Sequence, residues 1–326
     1  MTDVVEQASP ARPSPWQTGS ARSQRRRRLL LGIALAFLAV TSVFGPPTGR
    51  EVVTAWLLLL LYAVVGGDAA VWRRTVVQDW LPFLLVLFAY DLLRGFVKDL
   101  AGRAHVLPQL RVDEFLFGGI VPTVWLQEHL YTPSPAWYDY AIAPVYLSHF
   151  LVPTAVAAGL WATSYVRFRG YVWTFVTLTA GTITTYAAFP AEPPWLASQT
   201  HPDLLAPVVR VTSHTLQVSG IPTIHNAVQR GEAYANPVAA VPSLHAAVPL
   251  LILLLAWPYC RWLGRTLLTG YVLAMAFTLV YGGEHYVSDI LLGWAYAAAS
   301  VAVVAALLPR FDRRMQRRRA APATPV

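Results

Sequence analysis

Eight apolar runs punctuated by arginines and prolines constrain this chain more than any other feature. They lie at roughly 29–44, 52–72, 80–97, 140–162, 171–189, 241–257, 266–280 and 287–308. Crossing the hydrocarbon core takes roughly 20 apolar residues at about 1.5 Å rise each. These runs are therefore expected to form an all-α polytopic membrane helical bundle of about eight transmembrane helices. With 56% hydrophobic and only 13% charged residues in 326, the chain is too apolar for an ordinary soluble domain.

Basic residues give the orientation, because short cytoplasmic loops retain Lys and Arg. If eight spans alternate, 18 of the 25 basic residues fall on one side, including Arg25 to Arg28, Arg73, Arg74, Arg167, Arg169, Arg261, Arg265 and Arg310. Seven fall on the other: Arg50, Arg94, Lys98, Arg103, Arg111, Arg210 and Arg230. Both termini are thus expected in the cytoplasm. The net charge of +8 brackets membrane spans and suits topology and anionic head groups, so no nucleic-acid partner is expected. Arg25 to Arg28 before an apolar run could also open a signal peptide. No small-x-small cleavage site follows in Thr41-Ser-Val-Phe-Gly-Pro-Pro, which favours an uncleaved first helix. Cys260 is the only cysteine, so disulfides and thiolate metal clusters are excluded. The expected organisation is a disordered cytoplasmic tail over 1–24, one transmembrane catalytic domain over 25–310, and a basic cytoplasmic tail over 311–326.

The same topology brings two clusters to one level. Val241-Pro-Ser-Leu-His245 opens the sixth run and Gly283-Glu-His285-Tyr-Val-Ser-Asp289 opens the eighth, both at the outer face, where the third run ends with Arg94 and Lys98. His285 and Asp289 are four apart and share a helix face. The carboxylate can then hold one ring N–H and leave the other nitrogen as nucleophile or base, while a second histidine donates a proton to a departing oxygen. Against this stands a plainer reading, in which the histidines snorkel toward water and Asp289 is an N-terminal helix charge.

Ala240-Val-Pro-Ser-Leu-His-Ala246 and Glu284-His-Tyr-Val-Ser-Asp289 resemble the second and third signature motifs of the type 2 phosphatidic acid phosphatase superfamily. Pro-Ser-Leu-His in place of Pro-Ser-Gly-His, together with Phe189-Pro-Ala-Glu-Pro-Pro-Trp195, resembles its inositol phosphorylceramide synthase-like, inositolphosphotransferase branch. The likeness runs from about Tyr90-Asp-Leu-Leu-Arg-Gly95 to Trp294. It implies a six-helix phosphatase-type core over about 78–309, with His285 attacking phosphorus, Asp289 orienting it and His245 protonating the leaving alcohol. No metal and no other cofactor are implied.

The sequence departs from the family's commonest form at its first motif. From Lys98 the positions of the usual Arg-Pro are His105 and Val106, and the Arg often six residues before the third-motif His is Leu279. Other cations are then expected to meet phosphate: Arg94 with Lys98, whose i,i+4 spacing aims both one way, and next Arg230. Arg94 has an alternative in a salt bridge to Asp91. Ser243 either donates to phosphate at a helix start or serves as an N-cap. His149, ten residues into the fourth run, is expected to make a buried hydrogen bond to a neighbouring helix rather than enter the site. His129, His201, His214 and His225 are expected at the surface. The segment from Pro190 to Ala240 is too long for a bare connection and is expected to hold short helices and act as a lid. Phe115 to Leu126 is too short to cross and is expected at the membrane surface or re-entering it.

The expected function is therefore an integral-membrane lipid phosphotransferase or phosphatase at the extracytoplasmic face, multi-pass in a bacterial inner membrane. Its partners are a lipid substrate in the bilayer and an alcohol or inositol acceptor. Transfer to water, which makes a lipid phosphate phosphatase, is the alternative. A transporter lined by Arg94, His149, His245 and Asp289 is the alternative of another class, without the internal symmetry that transporters often show.

Overall fold

A computed structural model describes residues 20–44, 50–97, 103–218, 220 and 238–320. The fold is an all-α bundle, and each apolar run of the sequence coincides with a helix. Helix α1 spans Ser20–Phe44, α2 Arg50–Val64 and α3 Ala69–Thr75, which continues through a π-helical turn at Val76–Trp80 into α4, Leu81–Val97. Then come α5 (Leu107–Leu116), α6 (Pro122–Leu130), α7 (Trp137–Thr163) and α8 (Tyr165–Ala188). Short helices α9 (Pro194–Thr200) and α10 (Val211–Val218) precede α11 (Leu244–Ala256), α12 (Trp262–Tyr281) and α13 (Val287–Ala320). Four segments are long and apolar enough to cross a membrane by length and composition: Ser23–Phe44, Trp137–Thr163, Trp262–Tyr281 and Val287–Phe311. With the shorter apolar helices between them, they make this a multi-pass membrane protein.

The second run, expected to be continuous over 52–72, is broken in the structure. Gly66 and Gly67 take φ of 74° and 77°, a region closed to most L side chains, and Asp68 then caps α3 by accepting from the N–H groups of Ala70 and Val71. At the chain ends, α1 already begins at Ser20 and α13 continues through the basic segment to Ala320. The stretch from Phe115 forms the end of α5, a turn at Gly118-Gly119 and the start of α6, and Phe115 is 86% exposed.

Helix α8 sits at the centre, packed on α4, α7, α11 and α13. Lipid is as apolar as a leucine side chain, so these helices are held by close packing and interhelical hydrogen bonds rather than by transfer from water. Trp80 meets Phe168 with ring centroids 5.1 Å apart, and Phe83 meets Phe175 at 5.0 Å. These contacts run in the same order along both helices, so α4 and α8 are parallel. The far end of α8 reaches the start of α11, where the Tyr186 hydroxyl donates to the Pro242 carbonyl at 2.9 Å. The last turn of α4, which holds Arg94, lies at this same end. Arg167 and Arg265 lie at the opposite end, the Arg167 guanidinium 3.8 Å over the Tyr259 ring and that of Arg265 4.7 Å over Trp257.

Helices α11 and α13 approach most closely at Gly293. A Cβ there would stand 2.4 Å from the Ser243 carbonyl oxygen, so only glycine lets the start of α11 rest on α13. The Ser243 N–H in turn donates to the Asp289 carbonyl at 3.0 Å. These two contacts set the register of the two motif-bearing helices.

Candidate active site

His285 stands on the turn between α12 and α13, and several neighbours hold that turn rigid. Gly283 has φ of 76° and a Cβ on it would meet the Val209 carbonyl and the Val208 side chain at 2.8 Å. The Gln127 side-chain amide donates to the carbonyls of Tyr281 and Val209, and its oxygen accepts from the Val209 N–H, all at 2.8 Å. Trp195 N–H donates to the Gly283 carbonyl at 3.1 Å, and Val211 N–H to that of Gly282 at 3.2 Å.

The first turn of α13 leaves backbone N–H groups without intrahelical acceptors. Asp113 of α5 takes two of them, Val287 at 2.9 Å and Ser288 at 2.8 Å, and the Ser288 hydroxyl donates to the Gln109 carbonyl at 3.3 Å. Burial pushes the Asp113 carboxyl above the usual carboxylate range, against the pull of those two donors. Tyr286 is fully buried beside it. Burial, with Asp289, Asp113 and Glu192 nearby, pushes its phenol up as well.

Asp289 is fully buried. Its Oδ2 accepts from the Tyr286 N–H at 3.0 Å and pairs with His285 Nδ1 at 3.3 Å. An ionised Asp289 can only accept, which makes His285 Nδ1 the donor of this pair. The Asp289 Oδ1 has no hydrogen-bond partner among the described residues. Across from it stands His245, with ring centroids 6.1 Å apart and planes at 50°. Ser243 caps α11, its hydroxyl oxygen accepting from the Ala246 N–H at 3.3 Å, so the capping role is present and the hydroxyl proton remains to be donated.

His149 does contact a neighbouring helix, as its depth suggested, but the residue it meets is His245. The two rings stack at 3.9 Å, which brings His149 into the site. His129 is exposed, and His201 and His214 are half-buried. The side chain of Arg94 lies outside the described residues, as do Lys98, Arg230 and His225. Sequence reasoning missed Arg210, whose guanidinium makes two bonds to Glu284, at 2.7 and 3.1 Å, next to His285 and lies 5.0 Å over the Trp195 ring. It also missed Asp113, whose donors lie more than 170 positions along the chain. At the first-motif position, His105 stacks on Phe189 at 4.1 Å. Its backbone pairs with Pro190 and Glu192, while Ala191 pairs with Val238 and Ala240. The proline-rich segment is thereby tied to the lead-in to Pro242. Between Pro190 and Ala240 the described residues form α9 and α10. Among the described residues no three His, Cys, Asp or Glu side chains converge as metal ligands.

A family model described as the PAP2 superfamily matches residues 110–303, more than half of the chain. The chain belongs to the PAP2 superfamily. Within it, the phosphoinositol dihydroceramide synthase of Bacteroides thetaiotaomicron is 27% identical over 286 residues, covering 83% of this chain and 88% of that protein. The likeness places this PAP2 protein in the inositol phosphorylceramide synthase-like branch, as a phosphatase-type phosphotransferase or hydrolase of membrane lipids. No solved structure matches it.

Proposed function

We propose that this protein transfers a phosphoinositol-type head group between lipid hydroxyls through a phosphohistidine on His285. The observation that carries the reading is the His285–Asp289 pair at 3.3 Å facing His245 across 6.1 Å. His285 Nε2 attacks the phosphorus of a phospholipid head group, forming a P–N bond as the P–O bond to the diacylglycerol breaks. His245 gives its proton to the departing oxygen. The acceptor hydroxyl then loses its proton to His245 as its oxygen attacks phosphorus, and the P–N bond breaks. Asp289 keeps the proton on Nδ1 and supports the positive charge that the ring gains.

Negative charge spreads over the phosphoryl oxygens in such a transition state, so fixed cations and donors must meet it. Arg94, Lys98, Arg230 and the Ser243 hydroxyl are proposed for that role. Arginines gathered at the end opposite the histidines support cytoplasmic termini and an extracytoplasmic site, in a bacterial inner membrane. The relative's printed name supports a phosphoinositol donor and a ceramide-type acceptor. The burial of His285, Asp289 and Ser243 from solvent supports transfer over hydrolysis.

Purified protein given head-group-labelled phosphatidylinositol and a dihydroceramide, with EDTA present, tests this. Label on the dihydroceramide, an acid-labile labelled protein intermediate in wild type, and neither with His285→Ala are expected. Labelled inositol phosphate released only to water would make the protein a hydrolase rather than a transferase. Undiminished turnover by His285→Ala would overturn the reading.

A further inference from the structure

A general acid works only if its ring is held within hydrogen-bond reach of the leaving oxygen, and His245, second residue of α11, has two side-chain torsions to fix. Helix α7 fixes them through residues 146, 149 and 150, whose i, i+3, i+4 spacing puts them on one face. Tyr146 stacks on His245 with centroids 5.0 Å apart and planes at 13°, and His149 stacks at 3.9 Å and 28°. Phe150 stands edge-on at 6.0 Å and 83°. Three rings from one turn of α7 thus grip the imidazole, with His285 on the open side.

Resting on the function proposed above, we infer that His149 is a positioning residue for His245: through its ring face it holds the proton donor aimed at the leaving alcohol. The face of an aromatic ring also attracts the cation that His245 becomes when it carries the proton. Tyr146 supports the same orientation from its own stack. The helix that carries His149 is itself fixed at both ends. Asp139 caps its start and accepts from the Tyr281 hydroxyl at 2.6 Å. Near its other end Trp161 donates to Asp79.

The leaving group distinguishes this role from a general packing role. Diacylglycerol needs a proton as it departs, whereas 4-nitrophenolate does not. Full-length wild type, His149→Ala and His149→Phe are compared on phosphatidylinositol and on the 4-nitrophenyl ester of inositol phosphate, with dihydroceramide as acceptor. His149→Ala is expected to lower kcat on phosphatidylinositol by about ten- to a hundredfold, a part of the roughly 10²–10⁴ that a positioned general acid supplies. On the nitrophenyl ester, read as the first burst of 4-nitrophenolate before the acceptor step in which His245 takes a proton, the same variant is expected to lose less than about threefold, since that release needs no proton transfer. His149→Phe, which keeps a stacking ring, is expected to restore most of the loss. The ratio of the two rates is independent of how much variant folds. Equal losses on both esters, or a Phe variant no better than Ala, would overturn the positioning role. Failure of the wild type to turn over either ester would instead sink the phosphotransferase reading.

Discussion

Asp79 and Asp289 are both buried carboxylates at helix junctions, separated by the length of α8, whose 24 residues span about 36 Å at 1.5 Å each. Their partners differ in kind. Asp79 accepts from the Trp161 indole at 3.2 Å and the Tyr165 hydroxyl at 3.0 Å, neutral donors that tie the end of α7 to the start of α8. Asp289 pairs with an imidazole, that of His285, and keeps one oxygen without a partner among the described residues. Around Asp79 the neighbours are large aromatic rings, Trp80, Trp161 and Phe168, locked edge to face or tilted. Around Asp289 they are two imidazoles with room between them. One carboxylate joins helices; the other pairs with the histidine proposed as nucleophile, and leaving its second oxygen unmet is a cost that a purely structural group has no reason to bear.

Asparagine at the two positions tests that contrast most sharply. Asp289→Asn is expected to lower phosphoryl transfer by on the order of 10⁴-fold, since an amide can stabilise the wrong tautomer of its histidine, with the melting temperature nearly kept. A drop below about tenfold, measured as labelled product per folded molecule, would return Asp289 to a capping role. Gly293→Ala should harm both properties, because its Cβ would stand 2.4 Å from the Ser243 carbonyl and push α11 off α13. Overpacking of this kind costs about 1–3 kcal/mol, and displacing one histidine from the other by about 1 Å costs about a hundredfold in rate. A thermal melt and an initial-rate assay on the same sample read both.

Asp79→Ala is the converse. Two buried donors lose their acceptor, a loss of about 1–3 kcal/mol that appears as a lower melting temperature in detergent. The rate per folded molecule should stay within about twofold, as expected of a site so distant from the chemistry. A large rate loss would mean that the aromatic end controls the site. The smallest effect is expected from Asp113→Asn, where one acceptor oxygen is kept and the start of α13 loosens by about 1 kcal/mol or less. KM should change little while kcat falls severalfold. An unchanged kcat would leave the cap purely structural.

The sequence carried what is local. Each long helix was visible as an apolar run, the break at Gly66-Gly67 excepted, because a glycine pair inside a run reads as a weak helix rather than a turn; the short helices α5, α6, α9 and α10 were not among those runs. His285 and Asp289 were legible as a pair, because four residues on a helix is a distance. The meeting of His245 with His285 was legible from the alternation of spans. The phosphate cations remain a proposal, since Lys98, Arg230 and the side chain of Arg94 lie outside the described residues.

What only the tertiary structure decided is what each helix turns toward its neighbours. Helix α7 is apolar on all sides, so its sequence does not encode which face meets α11, and His149 could have faced any helix. Asp113 and Arg210 act on partners 174 and 74 positions away. Gly293 matters because a carbonyl of another helix presses against it. Burial in lipid gives hydrophobic runs their helical form whatever their rotation, whereas the rotation follows from close packing and a few interhelical hydrogen bonds, and those exist only once the bundle has assembled.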